Sequence, residues 1–313
     1  MIWFGVAAVA AVLLVQASAA RSKDLVFLQT CDGSAAVVAG GLIVIANDED
    51  NILRLYRPRG GAPVATLSLD AHLQAGGEAD IESAAVIGGR SYWITSHGRN
   101  AKAKRKPERF RFFATTASMP LKPVGRARED LLSAAIADPR LARLGLEAAS
   151  KLAPEAGGVN IEALAAGPGR SLLIGFRSPL ASLAPGQLET AFVVPLLNPD
   201  ALVTSTAAPV FGAPIALNLG GRGVRDLLRT RAGDYVIIAG PTGDTGDFAL
   251  FRWTGRATEA PRPMPANLSG IHPEALIELG GGLVVLSDDG DKACKDADPA
   301  QRRFRGRALP SAR

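Results

Sequence analysis

Short runs of alternating apolar and polar residues, each closed by a tight turn, follow one another along most of this chain in a fixed order. A polar head with small apolar residues comes first: Asp80-Ile81-Glu82-Ser83, Asn160-Ile161-Glu162-Ala163, Arg225-Asp226-Leu227 and His272-Pro273-Glu274-Ala275, with Cys31-Asp32-Gly33-Ser34 as a weaker opening copy. A turn such as Gly40-Gly41, Gly88-Gly89 or Gly280-Gly281-Gly282 follows, and then an apolar run at residues 42–46, 91–95, 171–176, 235–239 and 283–287. Third runs with period-2 character occupy residues 52–56, 110–114, 191–196 and 248–253, and residues 303–309 form a degraded last copy. Alternation at this period predicts strands with one buried face. Fourth, outer strands are predicted at residues 65–69 and 214–219. Four strands per unit, repeated at intervals of tens of residues, make the blade of a β-propeller. The predicted fold class is therefore all-β, a β-propeller of five four-stranded blades.

The spacing has one irregularity. The head acids Glu82, Glu162, Asp226 and Glu274 stand 80, 64 and 48 residues apart. The long first interval carries Leu131, Leu132, Ala135, Ile136, Leu141, Leu144, Leu146 and Ala149 at helical spacing, broken at Asp138-Pro139. A short helical insertion over about residues 128–153 is predicted, either between the third and fourth strands of the second unit or just before the third unit. The last unit exhausts the chain before its fourth strand, whereas Leu25-Val26-Phe27-Leu28 near the start has no partner. Placing that run as the outer strand of the last blade closes the ring and removes an exposed sheet edge.

Composition changes the picture mainly at the ends. Residues 2–16 are almost wholly apolar and Ala17-Ser18-Ala19 matches a signal-peptidase site. Residues 1–20 therefore read as a signal peptide and 21–313 as a single propeller domain, periplasmic or secreted, with no stable membrane insertion after cleavage. The alternative is an uncleaved anchor, although the apolar stretch falls short of the roughly 20 residues that span a bilayer. A net charge of +5 is modest. The basic run from Lys102 to Arg111 lacks interleaved aromatics before Phe110, so it reads as a solvated loop, with no nucleic-acid partner. Cys31 and Cys294 are the only cysteines. In an oxidising compartment they are a candidate disulfide across the seam between the chain ends, for which chain entropy allows roughly 4 to 5 kcal/mol. Two unpaired thiols are the alternative.

The head acids open the innermost strands, so a ring would gather them at one mouth of its channel, together with the loops that leave the second strands. Converging polar groups at a concave opening are the default place for a site. Two carboxylates about 4 Å apart repel by roughly 4 kcal/mol at an effective dielectric near 20, so a tight cluster needs a cation, a shared proton or an arginine. Glu82, Glu162, Asp226 and Glu274 are the candidate ligands for Ca²⁺ or Mg²⁺. Asp48, His97, Arg99, Arg177, Arg225 and Asp288 are the candidate contacts to a small anionic or metal-bridged ligand. A plainer alternative has each acid hydrogen-bonded to backbone amides of the neighbouring blade. A different class of function, metal-assisted hydrolysis of phosphate or carboxylic esters, would use Glu82, Glu162 and Glu274 to hold the ion and His97 or Arg99 to handle the leaving group. No G-x-S-x-G, H-E-x-x-H or Walker A motif is present, and the three histidines are too scattered to propose zinc.

Several of these motifs, in order, resemble a known family. Cys31-Asp32-Gly33-Ser34, Asn47-Asp48-Glu49-Asp50-Asn51, Ser96-His97-Gly98-Arg99-Asn100, Asn160-Ile161-Glu162-Ala163-Leu164, Gly175-Phe176-Arg177, Leu196-Leu197-Asn198-Pro199 and Ser287-Asp288-Asp289-Gly290 are similar to the bacterial domain-of-unknown-function family 3616. The resemblance implies a propeller and supplies no activity. A looser likeness, in the acid at the head of each inner strand, links the chain to phytase-like esterase and quorum-regulator-associated propellers. Gly33 and Asp226 depart from that pattern of glutamates.

Overall fold

The computed structural model describes residues 24–310, so the segment read as a signal peptide lies outside the described residues. The chain enters through β1 (Leu25–Leu28) and then builds sheets of four antiparallel strands in sequence order. Blade I is β2 (Ala35–Ala39), β3 (Leu42–Ala46), β4 (Ile52–Tyr56) and β5 (Ala65–Ser68). Blade II is β6 (Ile81–Ile87), β7 (Arg90–Thr95), β8 (Phe112–Thr116) and β9 (Pro123–Arg128). Blade III is β10 (Asn160–Ala166), β11 (Leu172–Ser178), β12 (Ala191–Leu196) and β13 (Ile215–Leu217). Blade IV is β14 (Gly223–Arg229), β15 (Tyr235–Gly240), β16 (Ala249–Trp253) and β17 (Arg262–Met264). Blade V is β18 (Pro273–Leu279), β19 (Gly282–Ser287) and β20 (Arg303–Ala308), completed by β1, which pairs with β20 in the register Phe27↔Phe304. The first and last strands of the domain thus share one sheet, and the ring closes as the unpartnered run near the start predicts.

One face of alternation was expected to be buried, but in the middle strands both are. Trp93 and Phe113 of blade II pack with Val44 and Leu53 of blade I, while the adjacent Tyr92, Ile94 and Phe112 pack with Ile174 and Phe192 of blade III. The same division gives apolar layers between blades III and IV, IV and V, and V and I, the last stacking Phe27 on Phe304 beside Ile43 and Tyr56. A slip of one residue would exchange the two layers, which pins the register. Each fully buried side chain of this size adds about 1.5–3 kcal/mol of transfer free energy.

Short helices decorate the connections: α1 (Asp70–Leu73), α2 (Leu131–Ala137), α3 (Leu146–Ala149), α4 (Pro199–Thr204) and α5 (Lys292–Lys295). The predicted insertion, α2 and α3 with a 3₁₀ turn at Pro139–Leu144, follows β9, so it lies just before the third blade, and Leu131, Leu132, Leu141 and Leu146 cap the layer between blades II and III. Two features differ from expectation. The third strand of blade II begins at Phe112 rather than residue 110, and α4 occupies a connection that carries no helical signal. Asp200 on α4 accepts from Arg90, Tyr92 and Arg170, which fastens that helix to the turns of blades II and III. Cys31, between β1 and β2, is disulfide-bonded to Cys294 on α5 across a sequence separation of 263, with Cα atoms 5.9 Å apart. Among the described residues no helix is long and apolar enough to cross a membrane.

Candidate site at the channel mouth

The innermost strands carry a shared distortion. Pairing between β6 and β7 skips Glu82, between β10 and β11 it skips Glu162, between β14 and β15 it skips Arg225, and between β18 and β19 it skips Glu274. Such bulges re-aim a side chain out of the ladder and recur beside sites. The register therefore makes Arg225, not Asp226, the counterpart of the three glutamates. The β2–β3 pairing has no skipped residue, and blade I contributes Asp32 and Asp48 from its flanking loops instead.

This arrangement divides the mouth in two. On the side of blades III to V, Arg225 lies between its neighbours: its Nε is 2.8 Å from Glu162 Oε2, off the line of a hydrogen bond, and its Nη2 donates to Glu274. Arg177 donates to Glu162 Oε1 at 3.1 Å and to the carbonyls of Pro241 and Gly243. Burial opposes the Arg225 charge, yet Glu162 and Glu274 hold its guanidinium still further above the ordinary range. On the side of blades I and II, Asp32, Asp48 and Glu82 have neither a side-chain hydrogen bond nor an ion pair among the described residues, and Asp32 Oδ1 is a buried oxygen without a donor at a residue 4% exposed. Asp80 meets Arg109 at 3.1 Å.

The electrostatics follow. Burial and then Asp48 and Asp288 push the Asp32 carboxyl well above the carboxylate range. Asp48 rises to about 7 through burial and then Asp80, and Asp80 rises to about 6 through burial against the pull of Arg109. Burial, then Asp80 and Glu162, drive Glu82 well up, and burial carries Glu274 to about 8 despite Arg225. Asp32, Asp48, Asp80, Glu82, Glu162, Glu274 and Asp288 thus act on one another, and on the side of blades I and II Asp32, Asp48 and Glu82 have no cationic side chain in contact among the described residues.

Asp226 has a different position. Its Oδ2 accepts from Leu276 N of β18 at 2.6 Å, and its Oδ1 accepts from Ser83 Oγ of β6 at 3.0 Å. Ser83 Oγ in turn accepts from Leu164 N of β10 at 2.9 Å, so one serine–aspartate pair connects the inner strands of blades II, III, IV and V. Ser34 adds blade I by donating to Ile81 O at 2.7 Å. Burial places the Asp226 carboxyl at about 7.

His97 and Arg99 do not join the acids. His97, with φ 52°, is buried against the edge of Phe110 and bonds Thr95 O through Nδ1 at 2.8 Å, and burial lowers it to about 4. Arg99 donates to Ser150 O at 2.6 Å and Ala103 O at 2.9 Å, tying its loop to the helical insertion. Asp288 accepts from Gly290 N within its own turn. Sequence reasoning missed Asp32, Asp80 and Asn160. Asp80 and Asn160 each stand two residues before a head glutamate, and period-2 alternation puts such pairs on one face, whereas Asp32 stands immediately before Gly33. Asn160 donates to Glu162 Oε1 at 2.8 Å and leaves its own amide oxygen buried without a donor.

A resident Ca²⁺ or Mg²⁺ needs several oxygens converging at about 2.0–2.6 Å from one point. Among the described residues no three Asp, Glu, His or Cys side chains are so grouped, and the acids as placed do not fit such an ion.

No curated protein matches the sequence. Solved structures with similar backbones include a glutaminyl cyclase from Myxococcus xanthus (13% identity, TM-score 0.48, covering 93% of this chain and 97% of that one). Others are a putative gluconolactonase (14%, 0.43, 93% and 83%) and a GH43_1 enzyme from Xanthomonas citri (14%, 0.44, 91% and 88%). At such values none of them carries an argument about chemistry. The model of a protein family of unknown function, DUF3616, matches residues 115–282. That match covers more than half of the sequence, and the chain belongs to the DUF3616 family.

Proposed function

We propose that this protein is an exported binding propeller whose channel mouth holds a small ligand through a positively charged group. One observation carries the reading: bulged inner strands and flanking loops bring carboxyls from several blades to one opening, where the arginines are already engaged and Asp32, Asp48 and Glu82 have no partner. A cation there relieves both the mutual repulsion and the unmatched buried oxygen of Asp32. An anionic ligand would need a bridging cation, because Arg177 and Arg225 are committed to Glu162, Glu274 and backbone carbonyls. The hydrolase reading loses its leaving-group handlers, since His97 and Arg99 bond backbone carbonyls outside the acidic cluster. Export is supported by the seam disulfide together with the leader-like residues 1–20.

The test is thermal unfolding at pH 8 with millimolar Ca²⁺, Mg²⁺ and small organic amines. A cation at 100 times its Kd adds about 2.7 kcal/mol. At least one should raise the Tm of the wild type saturably and fail to do so for Glu82→Gln. A wild-type Tm indifferent to every cation would refute the reading.

A further inference from the structure

We propose that the cation taken at the mouth is an organic polyammonium, with at least two N–H-bearing centres spaced along a chain, and that it is not a resident divalent metal. This rests on the reading that the mouth takes a cation at all. Two independent observations carry it beyond that reading.

The first is the spread of the acceptors. Asp32 and Asp48 flank the first strand pair of blade I, Glu82 stands on the bulge of blade II, and Asn160 opens the inner strand of blade III. No three acidic or metal-binding side chains converge among the described residues, so one inner-sphere ion cannot serve this arc. A chain with separated ammonium groups can, because each N–H donates along its own direction to a separate oxygen.

The second is the kind of vacancy. Asp32 Oδ1 and Asn160 Oδ1 are acceptors without donors, on residues 4% and 6% exposed, and they belong to different blades. One is a carboxyl oxygen and the other a neutral amide oxygen. Each can accept an N–H, and the spread of the acceptors already separates them from one inner-sphere ion. A buried polar atom left unmatched costs about 1–3 kcal/mol, so a ligand that donates to both gains selectively over one that only neutralises charge. On the opposite side, Arg225 already neutralises Glu162 and Glu274. The attraction is therefore confined to the side of blades I and II, and the neutral Asn160 oxygen extends the acceptors to blade III, the spread an extended ligand would use.

Calorimetric titration of the full chain at pH 8 and 150 mM NaCl with spermidine, 1,4-diaminobutane, butylamine, Ca²⁺ and Mg²⁺ tests the proposal. The diamine and spermidine are expected to bind at least tenfold more tightly than butylamine. Asp32→Asn and Glu82→Gln should each weaken spermidine about tenfold, and Glu82→Gln serves alone if the Asp32 variant does not fold. Saturable Ca²⁺ or Mg²⁺ binding with inert amines would overturn this proposal and leave the cation reading standing. Equal binding of butylamine and spermidine would also overturn it, and binding of none would end both.

Discussion

Replacing Asp226 separates an interblade fastener from a ligand to an ion. The carboxyl is 5% exposed and accepts from Leu276 N at 2.6 Å and Ser83 Oγ at 3.0 Å. Asp226→Ala leaves both donors without their acceptor in a buried place, at about 1–3 kcal/mol each. Ser83 recovers part of its share by rotating while it still accepts from Leu164 N, so the expected loss is about 2–5 kcal/mol. At about 2 °C per kcal/mol for a domain of this size, Tm should fall by roughly 4–10 °C. Asp226→Asn keeps an oxygen for Leu276 N and should stay within about 2 °C of the wild type at pH 6. The pH dependence has a definite sign. Burial raises the folded-state carboxyl from 3.8 to about 7, so its stabilising contribution is complete below pH 4 and is lost as pH rises through 7. The asparagine variant has no such loss and should gain on the wild type between about pH 4 and 7. Calorimetry or circular dichroism melts on all three proteins read this directly. An alanine variant as stable as the wild type would refute the fastener. A folded asparagine variant that no longer responds to cations would show that Asp226 is a ligand.

Two further outcomes test the frame around the mouth. Over 263 residues the chain-entropy argument gives the Cys31–Cys294 disulfide about 5 kcal/mol before native strain, so Cys31→Ser with Cys294→Ser should melt roughly 10 °C below the oxidised protein, and reductant should bring the wild type to the same point. Identical melts with and without reductant would remove the bond from the account. Arg225→Met strands Glu274 and leaves Glu162 with Arg177 and Asn160, and breaking a buried pair costs about 3–5 kcal/mol. Urea unfolding should show the deficit at pH 8 and a smaller one at pH 5, well below the value of about 8 to which burial raises Glu274, where that carboxyl is protonated; a pH-independent deficit would point to lost packing instead.

The architecture was legible because each blade repeats the same local chemistry. Gly-rich turns mark the hairpins, and the orphan run 25–28 with a missing final strand makes closure the only economical arrangement of edges. Cysteine placement then follows from the same geometry. The site was legible only in part. Spacing brings the acids to one mouth, but aligning blade IV on its nearest acid misplaces it by one residue: Asp226 looks like the fourth glutamate, while the bulge presents Arg225. A bulge has no signature in hydropathy, since it changes which residue is left unpaired and not which are apolar. The commitments of Arg99 and His97 were equally hidden, because their partners Ser150 O and Thr95 O are backbone carbonyls, which every sequence contains. Likewise α4 is only 6 residues long and is fastened by Asp200 to turns far away in sequence, which no local periodicity reports.

The contact of Ser83 with Asp226 joins the inner strands of blades II and IV, past blade III, at hydrogen-bond distance. Two inner strands held this close narrow the channel one residue inward of the bulged head positions. The hairpin turns on the far face, Gly40-Gly41 and Gly88-Gly89 among them, can then accept insertions without changing what is held above.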